Sequence, residues 1–379
     1  MSGFIVQGWC PGALRPMMSG DGLVVRVRPP GGRLTPEQAA GLSALARAHG
    51  NGLVDLSLRA NLQLRGVTPE THPRLIEELD RLGLIDASPE AEARRNIVVT
   101  PFWADGDGVQ DVAADLARRL AADNAPALPG KFGFAVDTGP VPVLRATPAD
   151  IRIERADRGL VVRADGAATG APATPASAAA LALDLARWFV TSGGVTDGRG
   201  RMGAHRARGH RPPAPFDAAA VPAVEAAPPS PGLVAGGALV GLAFGQMQAE
   251  TLAHLAALGP LRLTSWRMLL IEGATALPAI PGLITDPADP LRRVVACTGA
   301  PGCPQAQAAT RDLARRLAPQ VPAGQVLHVS GCAKGCAHPG PAAITLTATP
   351  AGFDLIRGGT AADPPIRRGL APATLAIGP

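Results

Sequence analysis

Apolar and polar residues alternate along the stretch DLSLRANLQLR, residues 55–65. A repeat of two predicts a β-strand with one buried face and one polar face. The apolar positions are Leu56, Leu58, Ala60, Leu62 and Leu64, and the polar positions are Asp55, Ser57, Arg59, Asn61, Gln63 and Arg65. Before this strand, GLVVRVRP (22–29) predicts another strand and TPEQAAGLSALARAHG (35–50) predicts an amphipathic helix.

The same order of elements occurs twice along the chain. The heptapeptide DLARRLA is found at 115–121 and at 312–318, and each copy follows a strand-like run, NIVVTPF or RRVVACTG. A second correspondence pairs residues 53–66 with GPLRLTSWRMLLIEG at 259–273. The sequence therefore predicts two copies of a strand-helix-strand unit plus an α/β unit, joined by the Pro/Ala-rich linker 212–232.

The polar face of the 55–65 strand has two interpretations. An antiparallel strand often turns such a face to solvent. The alternative is a ligand-binding face, because the preceding strand adds Arg26 and Arg28 and guanidinium groups can hold carboxylates bidentately. The second copy carries Trp266, Met268 and Leu270 on the corresponding face. This asymmetry favours a division of roles in which the first copy supplies the cations.

Composition restricts the class of protein. The chain has 379 residues, of which 46% are hydrophobic and 18% charged, as in globular proteins. No apolar run approaches the roughly 18 residues of a membrane helix, and the first residues lack a secretion-signal pattern. We therefore expect no membrane partner and a cytoplasmic, reducing location, where cysteines are thiols or metal ligands. The net charge of +5 without a dense basic block argues against nucleic acid and suits a small anionic ligand.

Four of the five cysteines lie in two short segments, CTGAPGC (297–303) and CAKGC (332–336). Zinc knuckles place two cysteines two to four residues apart, whereas the first pair has five intervening residues. Four thiolates on such loops are the usual ligands of a 4Fe-4S cluster, with zinc and unligated thiols as alternatives. The candidate ligands are Cys297, Cys303, Cys332 and Cys336.

Two further expectations concern the segment that follows Cys303 and the segment around Cys10. A helix PQAQAATRDLARRLA is expected to begin at Pro304, which would place Cys303 at its positive end and favour a thiolate. Cys10, alone in GWCPG, is interpreted as an ordinary small residue in a turn.

The cysteine spacings, the duplication and the stretch VVRVRPPGGRLTPEQAAGLSALARAHGNGLVDLSLRANLQLRGV together resemble the sulfite/nitrite reductase hemoprotein superfamily, which binds siroheme beside a 4Fe-4S cluster. The resemblance covers both halves of the chain. It implies an internally duplicated α+β fold, with two ferredoxin-like half-domains forming a pseudo-twofold unit plus two α/β domains of the sulfite/nitrite reductase type. The implied bounds are 1–75 and 233–280 for the half-domains, 76–211 and 281–379 for the α/β domains, and 212–232 for the linker.

In these reductases, cations surround the tetrapyrrole and its small anionic ligand. By resemblance, Arg26 matches the arginine of the first strand, Arg59 that of the polar strand and Arg95 that before the next strand. Lys131 matches the first lysine of a K-F-K loop, but Gly133 stands where the second is expected. Reduction of sulfite or nitrite requires clustered positive charge, so this departure argues against it. The candidate binding residues are Arg26, Arg59, Gln63, Arg65, Arg95 and Lys131.

Within the superfamily, the opening GWCPGALRPMMSGDGLVVRVRPPGG and the short length resemble the precorrin-3B synthases of aerobic cobalamin synthesis. This resemblance implies hydroxylation of precorrin-3A at C20 with O2 and NADH-derived electrons, and closure of the ring A acetate to a lactone. The arginine face is suited to anchor the acetate and propionate groups of precorrin-3A. The cluster would relay electrons, and the resemblance also implies a mononuclear non-heme iron whose ligands cannot be assigned from the sequence.

Two other functions stay open. A siroheme-dependent sulfite or nitrite reductase is favoured by the cluster motif and the cation pattern, and siroheme is expected only in that case. An iron-sulfur electron carrier would need no arginine pocket. The motif GRGRMG (198–203) resembles a dinucleotide fingerprint but follows no hydrophobic strand, so we expect a separate NADH-dependent reductase or ferredoxin to supply electrons. His205 and His210 are interpreted as surface histidines rather than iron ligands.

Overall fold

A computed structural model describes residues 11–218, 220–227 and 229–378, so Cys10 lies outside the described residues. The first half contains β1 (Met17–Ser19), β2 (Gly22–Val27), β3 (Arg33–Leu34), α1 (Pro36–His49), β4 (Leu53–Leu56), β5 (Leu62–Val67), α2 (His72–Arg81), α3 (Pro89–Arg94), β6 (Ile97–Val99), α4 (Val109–Ala121), β7 (Phe134–Asp137), β8 (Ile151–Arg155), β9 (Leu160–Ala164), β10 (Ala171–Ala173), α5 (Pro175–Thr191) and α6 (Met202–Ala207). The second half contains β11 (Gly232–Val234), β12 (Gly237–Leu242), β13 (Gln246–Gln248), α7 (Ala249–Ala256), β14 (Leu261–Leu263), β15 (Met268–Glu272), β16 (Leu283–Ile284), β17 (Val294–Ala296), α8 (Arg311–Leu317), β18 (Leu327–Ser330), β19 (Ala342–Thr349), β20 (Gly352–Gly359) and β21 (Arg367–Leu370).

The sheets occur as two matching pairs. Sheets β1-β2-β5-β4-β13 and β11-β12-β15-β14-β3 have corresponding strand orders, and so do sheets β6-β7-β8-β9-β10 and β17-β18-β19-β20-β21. Strand β3 pairs with β14 of the second half, while β13 pairs with β4 of the first. This mutual exchange joins the two ferredoxin-like half-domains into a pseudo-twofold unit and confirms the predicted duplicated α+β fold. The domain bounds stay predictions, because the half-domains share strands across them.

Helices α1 and α7 pack against this pair of sheets and complete one hydrophobic core. Helix α1 begins with a reciprocal cap, in which Thr35 Oγ1 accepts from the Gln38 N–H at 3.2 Å and Gln38 Oε1 accepts from the Thr35 N–H at 3.0 Å. Leu42 of α1 and Leu252 of α7 are fully buried in the same core cluster. In the described part of the chain, no helix combines the length and the apolar character needed to cross a membrane.

The 55–65 stretch is a hairpin, so the prediction of a single strand was wrong. Strand β4 ends at Leu56 and β5 begins at Leu62. Between them the Ser57 N–H donates to the Asn61 carbonyl at 2.9 Å, and Ala60 adopts a left-handed φ of 52°. Alternation could not reveal the turn, because its side chains continue the apolar and polar rhythm of the strands.

Because the stretch is a hairpin, its polar residues lie on different secondary-structure elements. Gln63 and Arg65 lie on β5, with the buried Leu64 between them facing the core. Arg59 lies on the turn, and Leu58 beside it is 40% exposed instead of buried as predicted. The predicted polar face is therefore divided between a sheet face and a turn at its edge.

In the α/β unit that carries the four cysteines, the loop after β17 is longer than predicted. Helix α8 begins at Arg311, not at Pro304, so the prediction that Cys303 lies at a helix start was wrong. Residues 300–308 fold back as a loop, in which the Ala300 N–H donates to the Ala308 carbonyl at 3.0 Å. The loop also reaches the second cysteine segment, where the Gln307 N–H donates to the Gly331 carbonyl at 2.8 Å. These hydrogen bonds replace the helical ones that the sequence pattern suggested.

The linker lies along the first α/β unit. The Ala223 N–H donates to the Arg155 carbonyl at 2.8 Å, and the Ala226 N–H donates to the Pro142 carbonyl at 3.0 Å. Glu225 accepts from the Arg145 N–H at 2.8 Å. The described part of this Pro/Ala-rich segment is therefore docked rather than extended into solvent.

A carboxylate at the end of β15 ties the two halves together. Glu272 Oε1 and Oε2 each accept from Arg33 at 2.8 Å, and Oε1 also accepts from Arg262 at 2.6 Å. Burial pushes the pKa of Glu272 upward, but the hydrogen bonds from the two arginines outweigh this effect and lower the pKa. Arg262 continues the link, because its Nη1 donates to the Pro101 and Trp103 carbonyls at 2.8 and 2.7 Å.

We expect Glu272→Ala to lower the free energy of unfolding by about 2–4 kcal/mol, because the largely buried Arg262 and the partly exposed Arg33 lose their counter-charge. Chemical denaturation followed by circular dichroism measures this change. Glu250→Ala is the matched control, since the Glu250–Arg47 pair at 4.0 Å is exposed and should change stability by less than about 1 kcal/mol. Equal effects of the two substitutions would contradict the role given to Glu272.

Asp137, at the end of β7, gives the fold a predicted pH dependence. Its Oδ2 accepts from the Val143 and Leu144 N–H groups, both at 2.7 Å, and burial raises its pKa to about 6. A folded-state pKa above the unfolded value near 3.8 means that stability is fully present below about pH 4 and is lost as pH rises through 6. We expect Asp137→Asn to remove a pH-dependent loss on the order of 3 kcal/mol, measured as wild type minus variant in denaturant titrations from pH 4 to 7. A constant difference across that range would contradict the prediction.

Candidate functional site

A polar row crosses the first sheet on the face opposite its core. Arg26 on β2 lies opposite Gln63 on β5, and Gln63 lies opposite Asp55 on β4. Arg26 Nε and Nη2 donate to Gln63 Oε1 at 3.2 and 2.7 Å. Gln246, on the exchanged strand β13, donates from Nε2 to Asp55 Oδ1 at 2.8 Å. Both halves of the chain therefore fix the row.

On β12 and β15 the duplicate of this row is apolar. Leu239 pairs with Leu270 in the second sheet as Arg26 pairs with Gln63 in the first. Both leucines are buried in a small cluster with Met268, against which Trp266 packs. The duplicate keeps a polar residue on this face at β14, where Arg262 lies opposite Leu270 as Asp55 lies opposite Gln63.

The hairpin turns of the two copies show which further residues of the two copies correspond. In the second copy the Thr264 N–H donates to the Met268 carbonyl at 3.2 Å, and Arg267 has a φ of 60°, which matches the turn around Ala60. Trp266 therefore occupies the place of Arg59, and Met268 that of Asn61.

Arg59 on the turn is close to the Lys131 loop. Its Nη2 donates to the Lys131 carbonyl at 2.8 Å. A Cβ added at Gly133 would lie 3.4 Å from Arg59 Nη1 and 3.0 Å from Asn96 Nδ2. A side chain at position 133 would therefore crowd both groups, and glycine leaves them in place.

Three arginines lie near one another at the other end of the row. Arg28 is 5% exposed and pairs with Glu92 at 3.3 Å. Burial, followed by the positive charges of Arg26 and Arg95, lowers the pKa of Arg28 to about 10. Arg28 and Arg95 are each paired with a carboxylate, so the positive charge available to an anionic ligand comes mainly from Arg26.

Arg95 is held in a fixed orientation. Its Nε and Nη2 donate to the two oxygens of Asp86 at 2.5 and 2.8 Å, and Nη2 also donates to the Arg28 carbonyl at 2.8 Å. Arg95 is therefore a pre-oriented guanidinium group in the same region as Arg26, with its charge balanced by Asp86.

Arg65 joins the first sheet to the first cysteine loop. Its Nη2 donates to Asp21 Oδ1 at 2.5 Å and to the Gly302 carbonyl at 3.0 Å, and the same carbonyl accepts from Ser19 Oγ at 2.7 Å. Arg65 is 5% exposed. Its place in the structure is that of a positioning residue for the loop that carries Cys303, rather than a residue open to a ligand.

The two cysteine segments follow β17 and β18, the neighbouring parallel strands of the second α/β unit. The Gly331 N–H donates to Cys297 Sγ at 3.1 Å, and Thr310 Oγ1 holds the Cys297 carbonyl at 2.7 Å. Partial burial raises the pKa of the Cys336 thiol, and the thiols of Cys332, Cys297 and Cys303 add to the increase while Lys334 opposes it. The four thiols therefore lie close enough to influence one another.

The donor set suits an iron-sulfur cluster. Gly299 and Gly335 adopt left-handed φ angles of 70° and 63°, which let the loops curve around a shared space, and a backbone N–H already points to a sulfur. Among the described residues, no three His, Cys, Asp or Glu side chains are grouped as around a single metal ion. Four thiols on two curved loops are a fit for a 4Fe-4S cluster, whose thiolates bind different iron atoms.

Sequence reasoning missed two features near these sites. His328 on β18 is fully buried with its ring 5.7 Å from that of His338, and burial, then His338 and Arg267, lowers its pKa to about 4. A cavity of about 190 Å³ beside Lys131 is lined by Arg199 and Arg201. The sequence signal for this cavity was the segment GRGRMG, whose two arginines line it.

The two histidines considered as iron ligands lie elsewhere. The rings of His205 and His210 stack at 4.0 Å, and His205 Nε2 is 2.8 Å from Ser192 Oγ. His205 is fully buried, so its interpretation as a surface histidine was wrong; it packs against Phe189 and Trp188 in the first α/β unit.

Comparison with known proteins identifies relatives of the first half-domain and of nearly the whole chain. Residues 15–82 match the model of the nitrite/sulfite reductase ferredoxin-like half domain. The chain is 32% identical to a precorrin-3B synthase of Sinorhizobium sp over 394 aligned positions, covering 94% of this chain and 83% of that protein. A sulfite reductase (NADPH) hemoprotein beta-component of Bacillus licheniformis is 32% identical over 77 residues, covering 20% of this chain and 14% of that protein.

Among solved structures, the Mycobacterium tuberculosis NirA protein has the same fold, with a TM-score of 0.58 and 18% identity over 89% of this chain and 74% of that one. The alignment with the Sinorhizobium protein extends over nearly the whole chain, so it spans the arginine row and both cysteine segments. The chain belongs to the precorrin-3B synthase family, within the sulfite/nitrite reductase hemoprotein superfamily.

Proposed function

We propose that this protein is an oxidoreductase that converts precorrin-3A to precorrin-3B in aerobic cobalamin synthesis. The reaction places a hydroxyl group at C20 and closes the ring A acetate to a lactone. One oxygen atom of O2 enters the product and the other leaves as water, with two electrons drawn from NADH. The observation that carries this proposal is the arginine-rich row joined through Arg65 to the four-cysteine unit.

The first role of the chain's own residues is to bind carboxylates. Precorrin-3A carries acetate and propionate groups around its rim, and Arg26, Arg59 and Lys131 are the side chains offered to them. A guanidinium-carboxylate hydrogen bond is worth about 1.5–3 kcal/mol, so several together hold a polyanion firmly. Arg95, whose charge is balanced by Asp86, is a further hydrogen-bond donor that would not have to be ordered on binding.

The second role is orientation. Gln63 Oε1 is occupied by Arg26, which fixes the amide on the face of the sheet where the macrocycle would lie. Arg59 is fixed against the Lys131 carbonyl at the edge of the same face. Such preorganised contacts would hold one edge of the substrate in register while C20 reacts.

A 4Fe-4S cluster bound by Cys297, Cys303, Cys332 and Cys336 would pass single electrons to the reaction. The chain contributes the loop geometry for it, since Gly331 donates to Cys297 Sγ and Arg65 holds the Gly302 carbonyl. Electrons would come from a separate NADH-dependent reductase or ferredoxin, because GRGRMG lies in a cavity wall beside Lys131 and not at a strand-to-helix turn. Among the described residues, no group of His, Cys, Asp or Glu side chains is arranged to hold the non-heme iron that the family resemblance implies.

A siroheme-dependent sulfite or nitrite reductase is the second candidate, favoured by the shared fold and cluster motif. The packing at Gly133 weighs against it, because a lysine there would meet Asn96 and Arg59. Without that lysine, less positive charge is available for a small inorganic anion than for a tetrapyrrole with several carboxylates.

Absorption spectroscopy of anaerobically purified protein, with iron and acid-labile sulfide measured on the same sample, separates the two candidates. We expect a broad iron-sulfur absorption that dithionite bleaches, and a saturable spectral change when precorrin-3A is added. Sharp porphyrinoid bands that stay with the purified protein would show bound siroheme and overturn the proposal in favour of the reductase.

A further inference from the structure

A second cavity, of about 380 Å³, lies between the second half-domain and the second α/β unit. Its walls are mostly apolar, and three of its lining side chains can carry positive charge. These three are Arg267, Arg292 and His338, and the wall also includes Trp266 and Met268.

This cavity is the duplicate's counterpart of the arginine-rich site. Trp266 and Met268 occupy the places of Arg59 and Asn61, on either side of the left-handed residue Arg267. Arg292 lies two residues before β17, as Arg95 lies two residues before β6. The duplication therefore kept a ligand-sized space here and changed its lining from polar to aromatic.

Arg267 is the unusual member of the wall. It holds a left-handed φ of 60°, which is uncommon for a residue with a long side chain and often marks a functional position. Burial, followed by the charge of Arg311, lowers its pKa to about 10. Its recorded hydrogen bond goes to the Ala337 carbonyl at 3.4 Å.

No carboxylate compensates this cation. Within residues 11–218, 220–227 and 229–378, no Asp or Glu oxygen lies within 4.0 Å of the Arg267 guanidinium. Arg292 is exposed and donates to the Pro287 carbonyl and, at 3.0 Å, to Ser230 Oγ. A buried cation without a counter-charge is costly, and an anionic ligand removes that cost. A neutral ligand of the same shape would leave Arg267 uncompensated.

We propose that this cavity binds a small planar organic anion, with its ring system against Trp266 and Met268 and its anionic group on Arg267 and Arg292. The volume is near the lower end of the range for small-molecule sites, about 300–1,000 Å³, so the ligand is smaller than the tetrapyrrole proposed for the first site. Aromatic and thioether side chains suit a planar ring, and the guanidinium groups select an acid. This site does not depend on the proposed enzymatic reaction.

The test uses two fluorescent probes that share an anilinonaphthalene ring system. One is 8-anilinonaphthalene-1-sulfonate, which is anionic, and the other is N-phenyl-1-naphthylamine, which is neutral. We expect the wild-type protein to bind one equivalent of the sulfonate with energy transfer from tryptophan, and to bind it on the order of tenfold more tightly than the neutral probe. Trp266→Phe should remove most of the energy transfer.

Two substitutions address the anion preference. Arg267→Asn removes the charge with a residue that tolerates the left-handed conformation, and should reduce sulfonate affinity about tenfold while leaving the neutral probe unchanged. Arg292→Ala, at an exposed position, should reduce it several-fold and carries little risk to folding. The matched control is Arg158→Ala, an exposed arginine of the β8–β9 turn.

The arginine-rich site is the competing location for the same probe, so Arg59→Ala completes the set. We expect Arg59→Ala to leave tight sulfonate binding unchanged. The proposal is overturned if Arg267→Asn and Arg292→Ala bind the sulfonate like wild type, or if Arg59→Ala abolishes its binding. Neither result would touch the proposed reaction at the first site, and failure of that reaction would not affect probe binding here.

Discussion

Cys336→Ala is expected to purify with most of its cluster iron and acid-labile sulfide missing, and with precorrin-3A turnover reduced at least about 100-fold. The physical reason is the arrangement of the four thiols on two loops that are tied to each other, through the Gln307 N–H and the Gly331 carbonyl at 2.8 Å. Removing one thiolate leaves an iron without its protein ligand, and the cluster cannot be completed by another cysteine of these loops.

The measurement is an iron and sulfide assay with electron paramagnetic resonance of the dithionite-reduced protein. Cys10→Ala is the matched control, because it removes the cysteine that belongs to neither segment, and it should keep full iron content. Full iron together with full turnover in Cys336→Ala would disprove the assignment of this residue to the cluster.

Arg59→Ala is expected to show the opposite pattern, with the cluster retained and precorrin-3A binding weakened about 10- to 150-fold. Arg59 lies on the turn after β4, and its guanidinium faces the Lys131 loop rather than the cysteine segments. Its removal takes away a charge-assisted hydrogen bond to a substrate carboxylate without altering the loops that hold the thiols.

Anaerobic titration with precorrin-3A, followed by absorption, measures the affinity of Arg59→Ala. Arg59→Lys should recover part of the affinity, since it restores the charge but not the bidentate geometry. Unchanged thermal stability shows that a loss of affinity is not a loss of fold. Loss of iron in Arg59→Ala, or binding equal to that of wild type, would contradict the separation of the two sites.

The duplicated fold could be predicted because its signals are local and repeated. The heptapeptide DLARRLA lies in α4 and again at α8, and each copy follows the first parallel strand of its unit. The exchange of β3 and β13 could not be predicted, because pairing between distant short strands leaves no periodic pattern in either of them.

The turn at Ala60 and the start of α8 show why local pattern fails at the sites. Ala60 has a left-handed φ although glycine or asparagine would be the usual signal for it, so nothing in the sequence marks the turn. Residues 304–310 have a helix-like composition, but the Ala306 and Gln307 N–H groups donate to the Cys303 and Gly331 carbonyls of the cysteine loops. In both places tertiary contacts outweigh local preference.

The binding roles of the candidate residues stay predictions, and the structure shows only where their side chains lie. Arg26, Gln63, Arg59 and Lys131 lie along one region, whereas Arg65 is turned to Asp21 and Gly302. Alternation assigns a residue to a face and says nothing about which partner its side chain reaches. Arg199 and Arg201 were passed over for the same reason, because only the fold brings their loop beside Lys131.

Turnover under labelled oxygen tests the central claim most directly. Anaerobic protein with a full cluster is mixed with precorrin-3A, NADH, a ferredoxin and its reductase, then exposed to ¹⁸O2, and the product is analysed by mass spectrometry. We expect a product that has gained one labelled oxygen atom, and we expect this product to form only when reductant is present. Precorrin-3A recovered unchanged from cluster-replete protein, under conditions in which the ferredoxin reduces the cluster, would contradict the central claim.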